Sequence, residues 1–356
     1  MCTSFDTSSL RPLFRALLLA AALPQLQLPA QSISPVLAPH AREVEISLDK
    51  AFEFLLRNQR ADGTFPGAYG SSAGVVALAG MSFLAAGHTP GRDKYGTFIN
   101  ECIDYVLAQQ SEGGYILTSK GKDRGMYSHN ISTLFLAEVS GMLDHERDIK
   151  VREALAKAVR VILVAQKVKK RPGHEGGWRY SPTASDSDLS ASGWALLALR
   201  AARLNGAMVS EKNIDAAVGY ILRCQGEDGS FGYQKAGGGS VSLSGLGVLC
   251  LTLAGYHDSP EVLKAQQNLI NRYQTVPKEK QSEYALYYVT QAAFQVGGKS
   301  WEKVGDWLYR RYLPLQNPDG SWSGKTPVYS TSMIVLSLTV PYRQLPIYQR
   351  DETVDE

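Results

Sequence analysis

From about residue 45 onward the hydrophobic positions follow two alternating patterns. Stretches such as Glu45-Ile-Ser-Leu-Asp-Lys-Ala-Phe-Glu-Phe-Leu-Leu56 carry apolar residues every three and four positions. That spacing predicts a helix with one buried stripe and one solvated face. Each such stretch is followed by one that is apolar and rich in small residues nearly all round: Ser72 to Ala86, Ser128 to Gly141, Leu189 to Leu204, Val241 to Gly255, Tyr284 to Gly297 and Ser330 to Val340. A helix without a polar face is buried on every side. The pattern predicts six antiparallel pairs, each an outer helix followed by an inner one.

Between the two helices of a pair stands a short motif: Leu-x-x-Gln, a few polar residues, then a glycine turn and an aromatic. It reads Leu56-Arg-Asn-Gln59 with Asp62-Gly-Thr-Phe65, Leu107-Ala-Gln-Gln110 with Gly113-Gly-Tyr115, and Leu163-Val-Ala-Gln166 with Gly176-Gly-Trp178. It returns as Leu222-Arg-Cys-Gln225 with Asp228-Gly-Ser-Phe231 and as Leu313-Pro-Leu-Gln316 with Asp319-Gly-Ser-Trp322, with a degenerate copy at Tyr273-Gln274 between them. Glycine supplies the left-handed turn, the aromatic folds back over it, and the glutamine is expected to tie one hairpin to backbone groups of the next. Periodicity alone allows a closed double ring or an open superhelix.

These Gln-x-x-Asp-Gly-x-Phe/Trp units resemble the QW repeats of squalene and other triterpene cyclases, which are similar to repeats in protein prenyltransferase β-subunits. The resemblance covers about residues 45 to 342 and implies an all-α, (α/α)6 toroid. It also bears on domain count. At ~150 residues per domain, 356 residues suggest two. Six hairpins instead give one ring over residues 33–342, with a polar tail at 343–356. Family cyclases place their cavity between two α-domains, so a single ring is expected to lack half of an enclosed polyene pocket.

Ahead of the ring, Arg11 and Arg15 precede the short apolar run Ala16-Leu-Leu-Leu-Ala-Ala-Ala-Leu23, then Pro24 and the small-residue site Ala30-Gln31-Ser32. This reads as a signal peptide over residues 1–32 and predicts export to the periplasm or the extracellular space. No later segment approaches the ~20 apolar residues of a transmembrane helix. Cys102, Cys224 and Cys250 form no C-x-x-C pair and read as buried thiols. A net charge of +3 argues against a nucleic-acid partner.

In a closed ring the inner helices run parallel, so their N-termini gather at one mouth. Helix dipoles make that rim suited to a polar or anionic ligand. The sequence decorates it with Ser71 and Ser72, with Tyr127-Ser-His-Asn130, Asp186-Ser-Asp-Leu-Ser190, Ser240, Ser242 and Ser244, with Glu283, Tyr284, Tyr287 and Tyr288, and with Tyr329-Ser-Thr-Ser332. Asp186 and Asp188 resemble part of the Asp-x-Asp-Asp motif of class II terpene cyclases. On that match Asp188 stands at the protonating acid and Asp186 at its neighbour, while Leu189 replaces the last Asp. The alternative for Asp188 is a helix N-cap without chemistry.

His129, Tyr127, Trp194, Glu283, Tyr284, Tyr288 and Tyr329 are the candidate ligand contacts. The basic residues Lys120, Lys122, Arg124, Lys235, Lys278, Lys280 and Lys325 precede inner helices and would ring the mouth with positive charge. No cofactor and no metal are predicted. Ser330 stands where prenyltransferases would place a zinc-binding His, and no Asp–Cys pair opens the fourth inner helix. The reading is an exported binding scaffold that holds a small apolar or anionic ligand, or a protein segment, in its polar-rimmed cleft. The alternatives are a cyclase-like isomerase with Asp188 as general acid and a prenyltransferase-like transferase.

Overall fold

A computed structural model describes residues 34–118, 125–324 and 326–349. The expected leader, residues 350–356, and Lys120, Lys122, Arg124 and Lys325 lie outside the described residues. The six hairpins are α1 (Ala41–Asn58) with α2 (Ala73–Ala85), α3 (Lys94–Ala108) with α4 (Met126–Val139), and α5 (His145–Lys167) with α6 (Leu189–Leu204). They continue as α7 (Glu211–Arg223) with α8 (Val241–Leu253), α9 (Pro260–Arg272) with α10 (Ser282–Val296), and α11 (Gly298–Tyr312) with α12 (Pro327–Leu338). Even-numbered helices are the inner ones. Every residue of α2 and of α8 is buried, as their lack of a polar face requires. None of the helices among the described residues is long and apolar enough to cross a membrane.

The ring is closed. Each inner helix packs on the next, and α12 packs back on α2. The last turn is pinned to the first outer helix: Gln316 Nε2 donates to the Ser47 carbonyl at 2.8 Å while Ser47 Oγ donates to Gln316 Oε1 at 2.9 Å. Three other glutamines act in the same way, while Gln59 donates instead to Cys102 Sγ on α3 at 3.7 Å. Gln110 donates to the Ala154 carbonyl on α5, Gln166 to Asn213 on α7 and Gln225 to Glu261 on α9.

The turn glycines explain why the motif tolerates no side chain. Gly114, Gly176, Gly229 and Gly320 all have φ between +80° and +91°. A Cβ on them would lie 2.5, 2.0, 2.6 and 2.1 Å from carbonyl oxygens of Lys157, Ala216, Lys264 and Lys50, each on the next outer helix of the ring. The glycine both makes the turn and lets neighbouring hairpins touch. Asp62, Asp228 and Asp319 brace the turns of Gly63, Gly229 and Gly320, each accepting from the backbone N–H two residues on at 3.0 Å.

Three expectations need correction. In the second unit the left-handed glycine is Gly114, so the buried residue two positions on is Ile116 and not Tyr115, which is only half-buried. The degenerate unit has a 3₁₀ helix, Tyr273–Lys278, in place of a glycine turn. The polar tail does not begin at 343: Leu345, Ile347 and Tyr348 are buried, because the chain turns back after α12 and packs into the barrel end. Cys102, Cys224 and Cys250 are buried and unpaired.

Candidate functional site

A cavity of about 500 Å³ opens at the mouth where the inner-helix N-termini meet. Five of those helices line it: Ser72 precedes α2, Tyr127 and Ser128 open α4, Ser190 and Trp194 lie on α6, Glu283 and Tyr284 open α10, and Tyr329 opens α12. Of the residues expected from sequence, the fold therefore brings together Tyr127, Trp194, Glu283, Tyr284 and Tyr329. The indole of Trp194 forms the floor, stacked on Tyr287 at 5.6 Å with the planes 12° apart. Tyr288 lies beneath it and does not reach the cavity; its ring meets Trp194 at 5.7 Å and the edge of Tyr284 at 4.7 Å. Burial pushes the Tyr284 hydroxyl up to about 12 and that of Tyr127 well above its usual range, so both are neutral donors at physiological pH.

Tyr69, Tyr180 and Tyr233 also line the cavity and were not expected. They sit in the loops before α2, α6 and α8, two to four residues after the turn aromatics Phe65, Trp178 and Phe231. A second aromatic at that offset is the signal that would have found them.

Asp188 is fully buried, with its backbone extended (φ −134°, ψ 156°) as the N-cap of α6. One carboxylate oxygen accepts from the Ala191 N–H at 2.8 Å, and the other pairs with Arg179 Nη1 at 2.6 Å. Arg179 also reaches Asp186 at 3.4 Å, donates to the Tyr233 hydroxyl at 2.9 Å, and lies over the Tyr180 ring at 4.4 Å. Burial moves the Asp188 carboxyl up from its ordinary range; the Ala191 N–H and the guanidinium oppose the shift. Neither Asp186 nor Asp188 lines the cavity. Both oxygens of Asp188 are committed to holding a helix end and an arginine, which is a structural use of the motif.

His129 does not face the cavity either. It is fully buried; Nδ1 accepts from the Ile116 N–H at 3.1 Å and Nε2 lies 3.1 Å from the Ala158 carbonyl, which fixes the proton on Nε2. In other units a hydroxyl does the first of these jobs: Ser192 accepts from the Trp178 N–H and Thr331 from the Trp322 N–H. Burial pushes His129 down to about 4. A depressed value means that the unfolded chain takes up the proton first as pH falls. The stabilisation is then present above about pH 6.5 and is lost toward pH 4, by roughly 3 kcal/mol. Urea denaturation at pH 7 and at pH 4.5 checks this. His129→Gln should be less stable than wild type at pH 7 and lose less on acidification; parallel losses would remove His129 as the cause.

At the starts of α2 and α8, rim donors expected to favour an anion are already used within the chain. The Ala73 N–H donates to Thr118, Gly74 to Ser128, Val241 to Glu279 and Leu243 to Ser240. Of the basic residues expected at the mouth, Lys280 lines the cavity, with Glu283 also on its wall; Lys235 and Lys278 do not line it. Glu283 accepts from Ser330 at 3.1 Å. Among the described residues no group of three His, Cys, Asp or Glu side chains is placed to hold a metal ion.

No family model matches the chain, and no curated protein matches it. Solved structures do. The type II terpene cyclase MstE from Scytonema aligns with a TM-score of 0.55 at 14% identity, over 85% of this chain and 99% of that one. The GH76A α-1,6-mannanase from Salegentibacter sp. HEL1_6 aligns with a TM-score of 0.58 at 10% identity, over 84% of this chain and 99% of that one. The first of these corrects the expectation about size, since nearly the whole of a terpene cyclase is matched by this single ring. Two enzymes with different chemistry share the architecture, so the likeness establishes fold and leaves activity to the site. The chain is an α/α toroid with the terpenoid-cyclase-like fold.

Proposed function

We propose that the chain is an exported binding protein whose mouth cavity holds a small, neutral, hydroxyl-bearing ligand such as a short oligosaccharide. The observation that carries this reading is the chemistry of the lining. Six tyrosines, one tryptophan, five serines and a threonine face the cavity, while its only charged side chains among the described residues are Lys280 and Glu283. Aromatic faces accept the C–H faces of a sugar ring, and the hydroxyls match its polar edges. The volume of about 500 Å³ lies within the ~300–1,000 Å³ of small-molecule sites. An anion would find the first donors of α2 already occupied, by Thr118 and Ser128, and a wholly apolar polyene would leave the polar half of this lining unused. The mannanase neighbour is solved with α-1,6-mannotriose, which supports a saccharide on this architecture.

Isothermal titration with a panel of neutral trisaccharides tests the reading. Tyr127→Ala, at a half-buried lining position, should weaken binding about five- to tenfold, the worth of one aromatic contact. Unchanged affinity in that variant, or no binding across the panel, would count against it. One observation favours a second reading, a cyclase-like isomerase: burial raises Asp188, and the neighbouring cyclase is solved with geranylgeranyl dihydroxybenzoate as substrate. Turnover of a polyprenylated substrate that disappears in Asp188→Asn would establish that reading instead.

A further inference from the structure

The end of the barrel away from the cavity is closed by the chain after α12. Arg343, at φ +52°, turns the backbone, and a 3₁₀ helix, Pro346–Tyr348, carries Ile347 and Tyr348 into the barrel. The Tyr348 hydroxyl is bonded to that of Tyr287, and the Tyr348 carbonyl accepts from Gln295 Nε2 at 3.0 Å. Below this segment lies Glu138, the penultimate residue of α4. It is 1% exposed, and apart from a weak approach of the Ile347 N–H its carboxyl oxygens have no hydrogen-bond partner. A carboxylate in that position would be buried with little compensation, a costly arrangement that a neutral carboxyl largely avoids.

We propose that residues 344–349 are a stopper seated on Glu138: the neutral carboxyl keeps the segment in the barrel, and ionisation of Glu138 drives it out and opens the far mouth. Among the described residues no cation faces Glu138 to hold the ionised form. Tyr287 on α10 and Tyr348 on the stopper face Glu138, and burial raises both phenols far above the neutral range. The packed helix α2 has no ionisable residue, and the buried face of α5 has none. On α6, Arg200 is directed to the Leu253 carbonyl, and Cys250 on α8 is held as a thiol by burial. Only the Ile347 N–H, on the stopper itself, offsets part of the burial, which pushes Glu138 up to about 8.

The sign follows from linkage. Glu138 holds its proton more tightly when the stopper is seated than when water reaches it. Unseating therefore gains about tenfold per pH unit between the ordinary glutamate value and about pH 8, and levels off above it. The phenols of Tyr287 and Tyr348 and the Cys250 thiol, all raised by burial, stay neutral across that range.

Hydrogen exchange of the full chain, read by mass spectrometry on the peptide covering 344–349, tests the proposal. The ratio of wild-type to Glu138→Gln exchange at each pH cancels the intrinsic pH dependence of the amides. This ratio should rise about a hundredfold from pH 5 to pH 7 and flatten above pH 8, while peptides from the turn around Gly320 stay level. A flat ratio overturns the proposal. Tyr348→Phe, which keeps Glu138 but removes the phenol bond, guards against a misfolded Glu138→Gln. Corrected for intrinsic rates, it should exchange faster than wild type at every pH with the same upward slope, and no slope in both proteins would equally overturn the stopper.

Discussion

Gly320→Ala is expected to destabilise the chain by about 3 kcal/mol or more, while Gly173→Ala costs only about 1–2 kcal/mol. Both glycines have positive φ, +91° and +87°. They differ in surroundings. A Cβ on Gly320 would stand 2.1 Å from the Lys50 carbonyl oxygen on the first outer helix, whereas one on Gly173 would meet nothing within 4 Å. The difference between the two variants is thus the cost of pushing the last turn away from α1, and it exists only in a closed ring. Urea denaturation of both variants measures it. Equal losses would mean that the sixth hairpin does not abut the first.

Asp188→Ala is the second large effect, about 4 kcal/mol: it strips the α6 N-cap and leaves the Arg179 guanidinium without its buried partner. Asp188→Asn should cost less, because an amide oxygen still accepts from the Ala191 N–H and only the charge pair is lost. Arg179→Met should cost nearly as much as Asp188→Ala, since it leaves the carboxyl buried alone. Melting curves of the three variants give the order. If Asp188→Asn were as stable as wild type, the carboxylate would not be holding the helix and the arginine, and a proton-donating role would regain ground.

Much of the scaffold was legible because it rests on local rules. Inner helices such as α8 have no polar face to misassign, and the Asp-Gly-x-Phe/Trp turns declare their left-handed glycine. The shift from Tyr115 to Ile116 was not legible, because Gly113 and Gly114 are adjacent and only the backbone reveals which is left-handed. His129 looked like a ligand because a histidine at a helix start is chemically versatile. Its true task, standing in for the hydroxyl of Ser192 or Thr331, depends on contacts with Ile116 and Ala158. Asp188 was found by motif, but its partner was not: Arg179 lies nine residues away in an irregular loop, brought close by an isolated bridge between Trp178 and Asp188. The stopper was hidden because Arg343-Gln-Leu-Pro-Ile-Tyr348 has no periodicity and reads as polar chain.

The role of the cavity is tested most directly by saturation-transfer NMR, irradiating the aromatic protons while a neutral trisaccharide panel is present. The expected result is transfer to C–H protons of at least one saccharide in wild type, clearly reduced in Tyr127→Ala, with the ligand spectrum unchanged over hours. The contradicting result is either no transfer to any member of the panel, or the growth of product signals in wild type that are absent in Asp188→Asn.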